Sequence, residues 1–321
     1  MQAIIYQNYG TPNVLKPAVL DMPAPKADEL LVKVNATCVT AADIMMRSGK
    51  PYIGRLYTGL TKPKRQILGF EFAGQVTAIG NNVTQFNIGD KVFGGMPALG
   101  AYAEYITIPQ DAMVAKQSLN MTAAEAAPLS GNGVTALNFL KLGNIKQGQK
   151  VLIYGASGGV GTYAVSIAKA LGAHVTAICG KRNFDLIKSL GADIVFDYAT
   201  GDFLLNDDVY DIIFDAVGKI SYSLCKHLLA KNATYLSVAL SPILLLKILT
   251  NPFTSKKAKF TATGMLPAPK GRKLLTELKS LMQSGMLRSV IDRSFPLAQT
   301  AKAHQYVARG HKVGNLVITI N

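Results

Sequence analysis

VLIYGASGGVGTYAVSIAKALGA, residues 151–173, decides the architecture of this 321-residue chain. Residues 151–154 form the kind of apolar run that a parallel strand buried on both faces requires. A turn of small residues follows at once. Beyond it Val160, Ala164, Ile167, Ala168 and Leu171 recur at helical spacing and share one face. The turn reads Ala156-Ser157-Gly158-Gly159-Val160-Gly161, a G-x-G-x-x-G with alanine in first place. Small residues there let backbone N–H groups reach a pyrophosphate, which also meets the positive end of the helix dipole. Glycines at this spacing are common, but strand, turn and helix in this order are specific. They predict a dinucleotide site.

Strand and helix signals alternate around this stretch. Candidate strands lie at 151–154, 174–179, 194–196, 211–215, 234–238 and 259–264, with helical stretches at 160–171, 183–190 and 221–229. This pattern predicts an α/β fold with a doubly wound parallel sheet made of two mononucleotide-binding halves. Thr122 with Glu125 is a capping box that opens a helix ahead of it, and residues 133–142 give a second. Residues 1 to 120 read differently. Short runs at 2–6, 30–36, 74–79, 91–93 and 103–108, punctuated by Asn8-Tyr9-Gly10, Gly80-Asn81-Asn82 and Ile88-Gly89-Asp90, suit a small barrel-like β domain. The tail has helical stretches at 272–284 and 300–308, a short strand at 290–292, and a last strand at 316–320 that returns to the first domain. The expected division is residues 1–121 with 286–321, and 122–285 inserted between them.

Length favours two domains, and 49% hydrophobic residues with a mean hydropathy of +0.21 describe well-packed units. The chain opens MQAIIYQNYG, without signal- or transit-peptide composition, so the expected compartment is the cytoplasm. No apolar stretch of about 18 residues is present to cross a bilayer. Cys38, Cys179 and Cys225 are odd in number and far apart, which suits reduced thiols. The net charge is +15, but the basic residues are scattered, with short clusters at 62–65, 181–182, 256–259 and 270–273. No aromatic-interleaved or helix-turn-helix pattern accompanies them, so nucleic acid is not an expected partner. The segment Pro242–Leu249, PILLLKIL, reads as cover for an active-site cleft or as a dimer contact, ahead of peripheral contact with a membrane.

The second strand of the α/β unit identifies the dinucleotide. An NAD site places Asp or Glu at its end to bind the ribose 2′-hydroxyl. Here the strand ends at Cys179 and continues Gly180-Lys181-Arg182-Asn183, two cations where a carboxylate would stand. They suit a 2′-phosphate. Solvating a helix start is a poorer use of them, because cations are unfavourable at that end of the dipole. NADP(H) is therefore predicted over NAD(H). Tyr198, just past the third strand, either stacks on the same end of the cofactor or is a buried loop tyrosine. Val217 with Gly218, and Ser237 with Val238, follow strand ends where such loops meet the dinucleotide.

Leu68-Gly69-Phe70-Glu71-Phe72-Ala73-Gly74, Asn87-Ile88-Gly89-Asp90-Lys91-Val92, the small-residue turn, Lys188-Ser189-Leu190-Gly191-Ala192-Asp193, Tyr210-Asp211-Ile212-Ile213-Phe214-Asp215 and Gly310-His311-Lys312-Val313-Gly314-Asn315 are specific in their order and spacing. Over essentially its whole length the chain resembles a zinc-free medium-chain dehydrogenase/reductase of the quinone oxidoreductase type. Residues 177–183 are similar to the NADPH-binding loop of members near the chloroplast-envelope homologue. The resemblance implies a Rossmann sheet inserted into a GroES-like β-barrel domain and an active site in the cleft between them. It also implies a homodimer paired through Rossmann edge strands, here residues 259–264. Thr40 stands where these reductases commonly have an asparagine near nicotinamide and substrate, and Asp43 matches the family's aspartate, either catalytic or a helix cap. Thr135 resembles a threonine at the cofactor phosphates or nicotinamide, against a plain helix-interior threonine. Asn315 occupies a position often basic in relatives. Met45 and Pro51 replace family tyrosines, implying a more apolar acceptor pocket with Tyr52 and Tyr57 as remaining donors.

Zinc alcohol dehydrogenases of that superfamily take ligands from a Cys after an early strand, a His in Gly-His-Glu, and a later Cys. This chain has Thr40 at the first position, Cys38 being out of register by two, and Phe70 at the second. No cysteine lies between Cys38 and Cys179 to build a four-cysteine site. No metal is expected, and so no Lewis acid to acidify an alcohol. The acceptor must then already be electrophilic, with delocalised charge developing on its oxygen. The expected function is NADPH-dependent, zinc-independent reduction of small-molecule electrophilic acceptors, namely quinones or α,β-unsaturated carbonyls. The rivals are a reductase of enoyl thioesters or haloacrylate-like acids, and an NADPH-binding redox sensor or scaffold with little turnover. His174, His304 and His311 read as solvated or core residues, and Cys179 as packing.

Overall fold

The computed structural model describes residues 1–96, 99–118, 120–205 and 208–321, the side chain of Tyr57 excepted. In chain order it shows β1 Gln2–Ile5, β2 Lys16–Val19, β3 Glu29–Cys38, α1 Ala41–Ser48, α2 Arg55–Thr58, β4 Glu71–Ile79, β5 Lys91–Gly95, β6 Tyr105–Pro109, β7 Val114–Lys116 and α3 Ala123–Ala126. Next come α4 Asn132–Leu142, β8 Lys150–Tyr154, α5 Gly159–Ala170, β9 His174–Cys179, α6 Phe184–Ser189, β10 Ile194–Asp197, β11 Tyr210–Asp215, α7 Tyr222–Cys225, β12 Leu229–Ser237, α8 Pro242–Leu249 and β13 Lys257–Lys259. α9 Ala268–Gln283, β14 Ile291–Pro296, α10 Thr300–Ala308 and β15 Asn315–Thr319 follow.

These elements form two compact units: Met1–Gly131 with Leu266–Lys279 and Ile291–Asn321, and Asn132–Met265 with Ser280–Val290. The sequence placed the breaks at 121/122 and 285/286. Thr122 and Glu125 do form the expected capping box, but α3 packs on β3 and β4, which keeps residues 122–131 with the first unit.

In the first unit the sheet order among the described residues is β14-β15-β3-β4-β5-β7, with β6 also paired to β3. β15 runs parallel to β14 and antiparallel to β3. The inward side chains Leu30, Val32, Val34, Phe72, Val92, Leu316 and Ile318 form its core. The short β2, whose Pro17 confines it to a two-stranded ribbon with β1, went unread in the sequence.

In the second unit the order is β10-β9-β8-β11-β12-β13, every pairing parallel. Val151, Leu152 and Ile153 are fully buried, as a strand covered on both faces must be. α5 is buried almost all round, and Leu171, expected on its inner face, is the exposed C-cap. Helix stacking causes this: small residues let α4 lie against α5, while Phe139 of α4 stacks on Phe214 of β11 at 5.2 Å between centroids. The strand expected at 259–264 is instead β13, and Thr263–Met265 is a 3₁₀ turn. Asn251 explains the position. Its side-chain amide donates to the Ala258 carbonyl at 2.7 Å and accepts the Ala258 N–H at 2.8 Å, taking the place of a further strand.

Candidate functional site

The strand order of the second unit reverses between β8 and β11, and ligands of such sheets bind at the carboxyl ends of the strands beside that reversal. The turn after β8 shows why. Gly155, which sequence reading passed over in favour of Ala156, carries the bend at φ +76°, and a Cβ there would lie 2.5 Å from Val217 Cγ1. Gly161 lets α5 sit directly on the turn, since its Cβ would come within 2.2 Å of the Gly155 carbonyl oxygen. Gly158 is different. Its φ of −80° is ordinary and its Cβ would meet nothing nearer than 3.4 Å, so the chain's own packing does not require glycine. No side chain caps α5, whereas Thr40 caps α1 and Thr122 caps α3. Its first N–H groups are therefore available to an anion, and the pyrophosphate of a dinucleotide fits the cradle. Ala156 and Gly159 are buried beneath it, while Ser157, Gly158 and Val160 remain partly exposed.

After β9, Gly180 leads into the 3₁₀ turn Lys181–Asn183, with Lys181 and Arg182 exposed. A Cβ on Gly180 would lie 3.2 Å from Tyr198 Cε1, so the Tyr198 ring comes to the same strand end and is exposed rather than buried. Cys179 is buried, and burial together with Asp197 pushes its thiol up to about 11, which fits packing. After β11 the buried Asp215 organises the next loop. It accepts the backbone N–H groups of Val217, Gly218, Lys219 and Ile220 at 2.8–3.3 Å. Ser237, expected at the cofactor, is buried with its hydroxyl turned to Asp215 Oδ2 at 3.4 Å, so it holds the loop. Val217 is exposed, Val238 is half-buried, and Thr135 is half-buried in the first turn of α4.

In the first unit, Thr40 and Asp43 form a capping box at α1: the Thr40 hydroxyl donates to Asp43 Oδ2 at 2.6 Å, and Asp43 N donates back at 3.3 Å. The hydroxyl proton is thus committed, and the cap reading of Asp43 is the one the geometry shows. Burial raises the Asp43 carboxyl above its usual range against the pull of those hydrogen bonds. Behind it lies a chain that sequence reading missed. Tyr102 donates to the Cys38 carbonyl at 3.2 Å and pairs with His304 Nε2 at 3.1 Å, and the positive φ of Gly69 admits the Tyr102 ring. His304 is fully buried, its Nδ1 has no partner among the described residues, and burial lowers its pKa to about 3.

A pH effect follows from His304. Above about pH 6.5 the ring is neutral in both states and contributes nothing. Below it the unfolded chain takes up a proton that the folded chain refuses, so stability falls by about 1.4 kcal/mol per pH unit toward pH 3. Urea midpoints at pH 7 and pH 5 are expected to diverge less in His304→Gln than in the parent. Equal divergence would remove His304 as the cause.

Asn315, 1% exposed, opens β15 inside the sheet. Tyr52 is exposed with the Arg55 guanidinium 4.8 Å over its ring, and the Tyr57 side chain lies outside the described residues. Among the described residues no three His, Cys, Asp or Glu side chains are grouped to hold a metal, and Phe70 carries no donor.

Two family models match the chain: an alcohol dehydrogenase GroES-like domain over residues 26–118 and a zinc-binding dehydrogenase over residues 190–318. The chloroplastic quinone-oxidoreductase QR1 of Triphysaria versicolor is 33% identical, covering 99% of this chain and 98% of that protein. The quinone oxidoreductase of Coxiella burnetii superposes with a TM-score of 0.88 at 30% identity over 100% of this chain and 99% of that one. A mycobacterial structure complexed with NADPH gives 0.83 at 26% identity, covering 99% and 100%. The chain belongs to the medium-chain dehydrogenase/reductase superfamily, among its quinone oxidoreductase-like members, with a GroES-like unit and a Rossmann sheet. It is an NAD(P)H-dependent oxidoreductase of the quinone-reductase and alkenal-reductase type.

Proposed function

We propose that this protein is an NADPH-dependent reductase that works without zinc and delivers hydride to quinones or to α,β-unsaturated carbonyls such as enones and enals. The observation that carries the reading is the carboxyl edge of the Rossmann sheet. There an uncapped α5 and the Gly158 cradle lie one strand away from Lys181 and Arg182, where an NAD site would need a carboxylate. The N–H groups at the start of α5 hold the pyrophosphate, Lys181 and Arg182 the 2′-phosphate, and Tyr198 flanks that end. NADPH, when bound, supplies the hydride. Val217 and Val238 shield the edge from water. Thr40 gives its proton to Asp43 rather than to an acceptor, which favours acceptors needing little acid assistance. One matching family model is named for zinc, yet Thr40 and Phe70 occupy the ligand positions and support metal-independent chemistry.

NADPH consumption by the purified protein against a panel of quinones and enones, with zinc content measured in parallel, tests this. Turnover with negligible zinc is expected. Tight NADPH binding without turnover across the panel would establish a sensor instead, and stoichiometric zinc required for activity would overturn the metal-independent reading.

A further inference from the structure

We propose that α8 and the basic segment around it form a docking surface for an anionic lipid bilayer. The charge of this chain is unevenly spread. Between Asp215 and Glu277 there is no aspartate or glutamate, while ten lysines and arginines occur. α8 lies in the middle of this segment. Leu244 anchors it in the core of the second unit, but Leu240, Ile243, Leu246, Leu249 and Phe253 recur every three or four residues and stand exposed. Leu246 is 62% exposed and Phe253 is 88% exposed.

Cations are fixed beside this stripe by the fold. Lys247 Nζ sits 5.2 Å from the centroid of the Tyr222 ring, and the Tyr222 hydroxyl donates to the Lys256 carbonyl at 3.4 Å. Lys256 Nζ in turn donates to the backbone carbonyl of Lys226 at 3.0 Å, which holds the Lys256 ammonium close to the Tyr222 region that carries Lys247. An apolar stripe bordered by ammonium groups, with no carboxylate in the segment, matches the boundary between acyl chains and phosphate headgroups. Among the described residues no helix is long and apolar enough to cross a membrane, so α8 lies in the plane of the interface.

A second copy of the chain is the competing occupant, and the neighbouring sheet edge argues against it. The outward N–H and C=O of Ala258 in β13 are both taken by the Asn251 side chain, so this residue offers no ladder hydrogen bond to a second copy. α8 also departs from the strand end carrying Ser237, so a docked bilayer adjoins the cofactor edge of the same unit.

The test is flotation of the full chain with phosphatidylcholine vesicles and with vesicles containing phosphatidylglycerol, at low and high salt. Binding is expected only to the anionic vesicles and is lost at high salt. Lys247→Gln and Lys256→Gln each weaken it about fivefold. Leu246→Ser with Phe253→Ser weakens it at least as much, with unchanged melting temperature and NADPH binding. Failure to float with anionic vesicles overturns the proposal. So does a double-serine variant that still floats with anionic vesicles; a molar mass lower than the parent's in light scattering would then assign the stripe to a second copy.

Discussion

Alanine at both Lys181 and Arg182 raises the Michaelis constant for NADPH about a hundredfold and leaves that for NADH within about twofold, taking about 1.5 kcal/mol for each charge-assisted contact to the 2′-phosphate. The low end of the range applies because both side chains are exposed. Both side chains lie at the surface and neither is part of a hydrophobic core. They open a 3₁₀ turn leading into α6, where Asp185 already complements the dipole and cations oppose it. The melting temperature is accordingly expected to stay constant or rise slightly. Steady-state kinetics with both cofactors check this, and equal losses with NADPH and NADH would remove the phosphate contact.

Asp215→Ala is expected to lower stability by about 4 kcal/mol and the melting temperature by about 10 °C. Four backbone N–H groups converge on this carboxylate, and the Tyr235 hydroxyl lies at 3.5 Å. Deleting it leaves buried donors without an acceptor, although the exposed Val217 and Gly218 can turn to water and soften the loss. Burial outweighs these hydrogen bonds and holds the Asp215 carboxyl above its usual range, so the ionised form is expensive at neutral pH. A neutral isostere therefore suffers less, and Asp215→Asn should recover more than half of the loss in calorimetry. NADPH affinity falls in the alanine variant as well, because Val217 is positioned by the same loop. A melting temperature within about 2 °C of the parent would show that the loop holds itself.

Local signals made most of this fold readable. The buried runs of β8 and β11, the capping box at Thr122 and the turn into α5 are written in consecutive residues, and all appear in the structure. β13 was misplaced because a Lys-Ala-Lys strand has one apolar residue and owes its position to Asn251, seven residues earlier. At the candidate site, the cation pair and the glycine turn were legible because their spacing to a strand end is fixed by chain geometry. Tyr102 and His304 were not, since their hydrogen bond joins residues 202 apart. Asp215 had a local signal, an acidic residue followed by Val217-Gly218, which is the composition of a side chain that gathers the next few amides. The side-chain partner of Ser237 was hidden for the same reason as Tyr102 and His304: it is the carboxylate of the adjacent strand.

The position of β15 bears on how the protein is made. This strand lies between β14 and β3, so the sheet begun by β3–β7 is completed only by residues synthesised after the Rossmann unit. Synthesis normally favours the domain that emerges first. Here the intervening Rossmann unit is free to fold beforehand, while the early strands wait with the β3 flank uncovered. A nascent chain stalled before residue 291 should therefore show a protease-resistant Rossmann unit and a labile N-terminal segment, the reverse of the usual vectorial order.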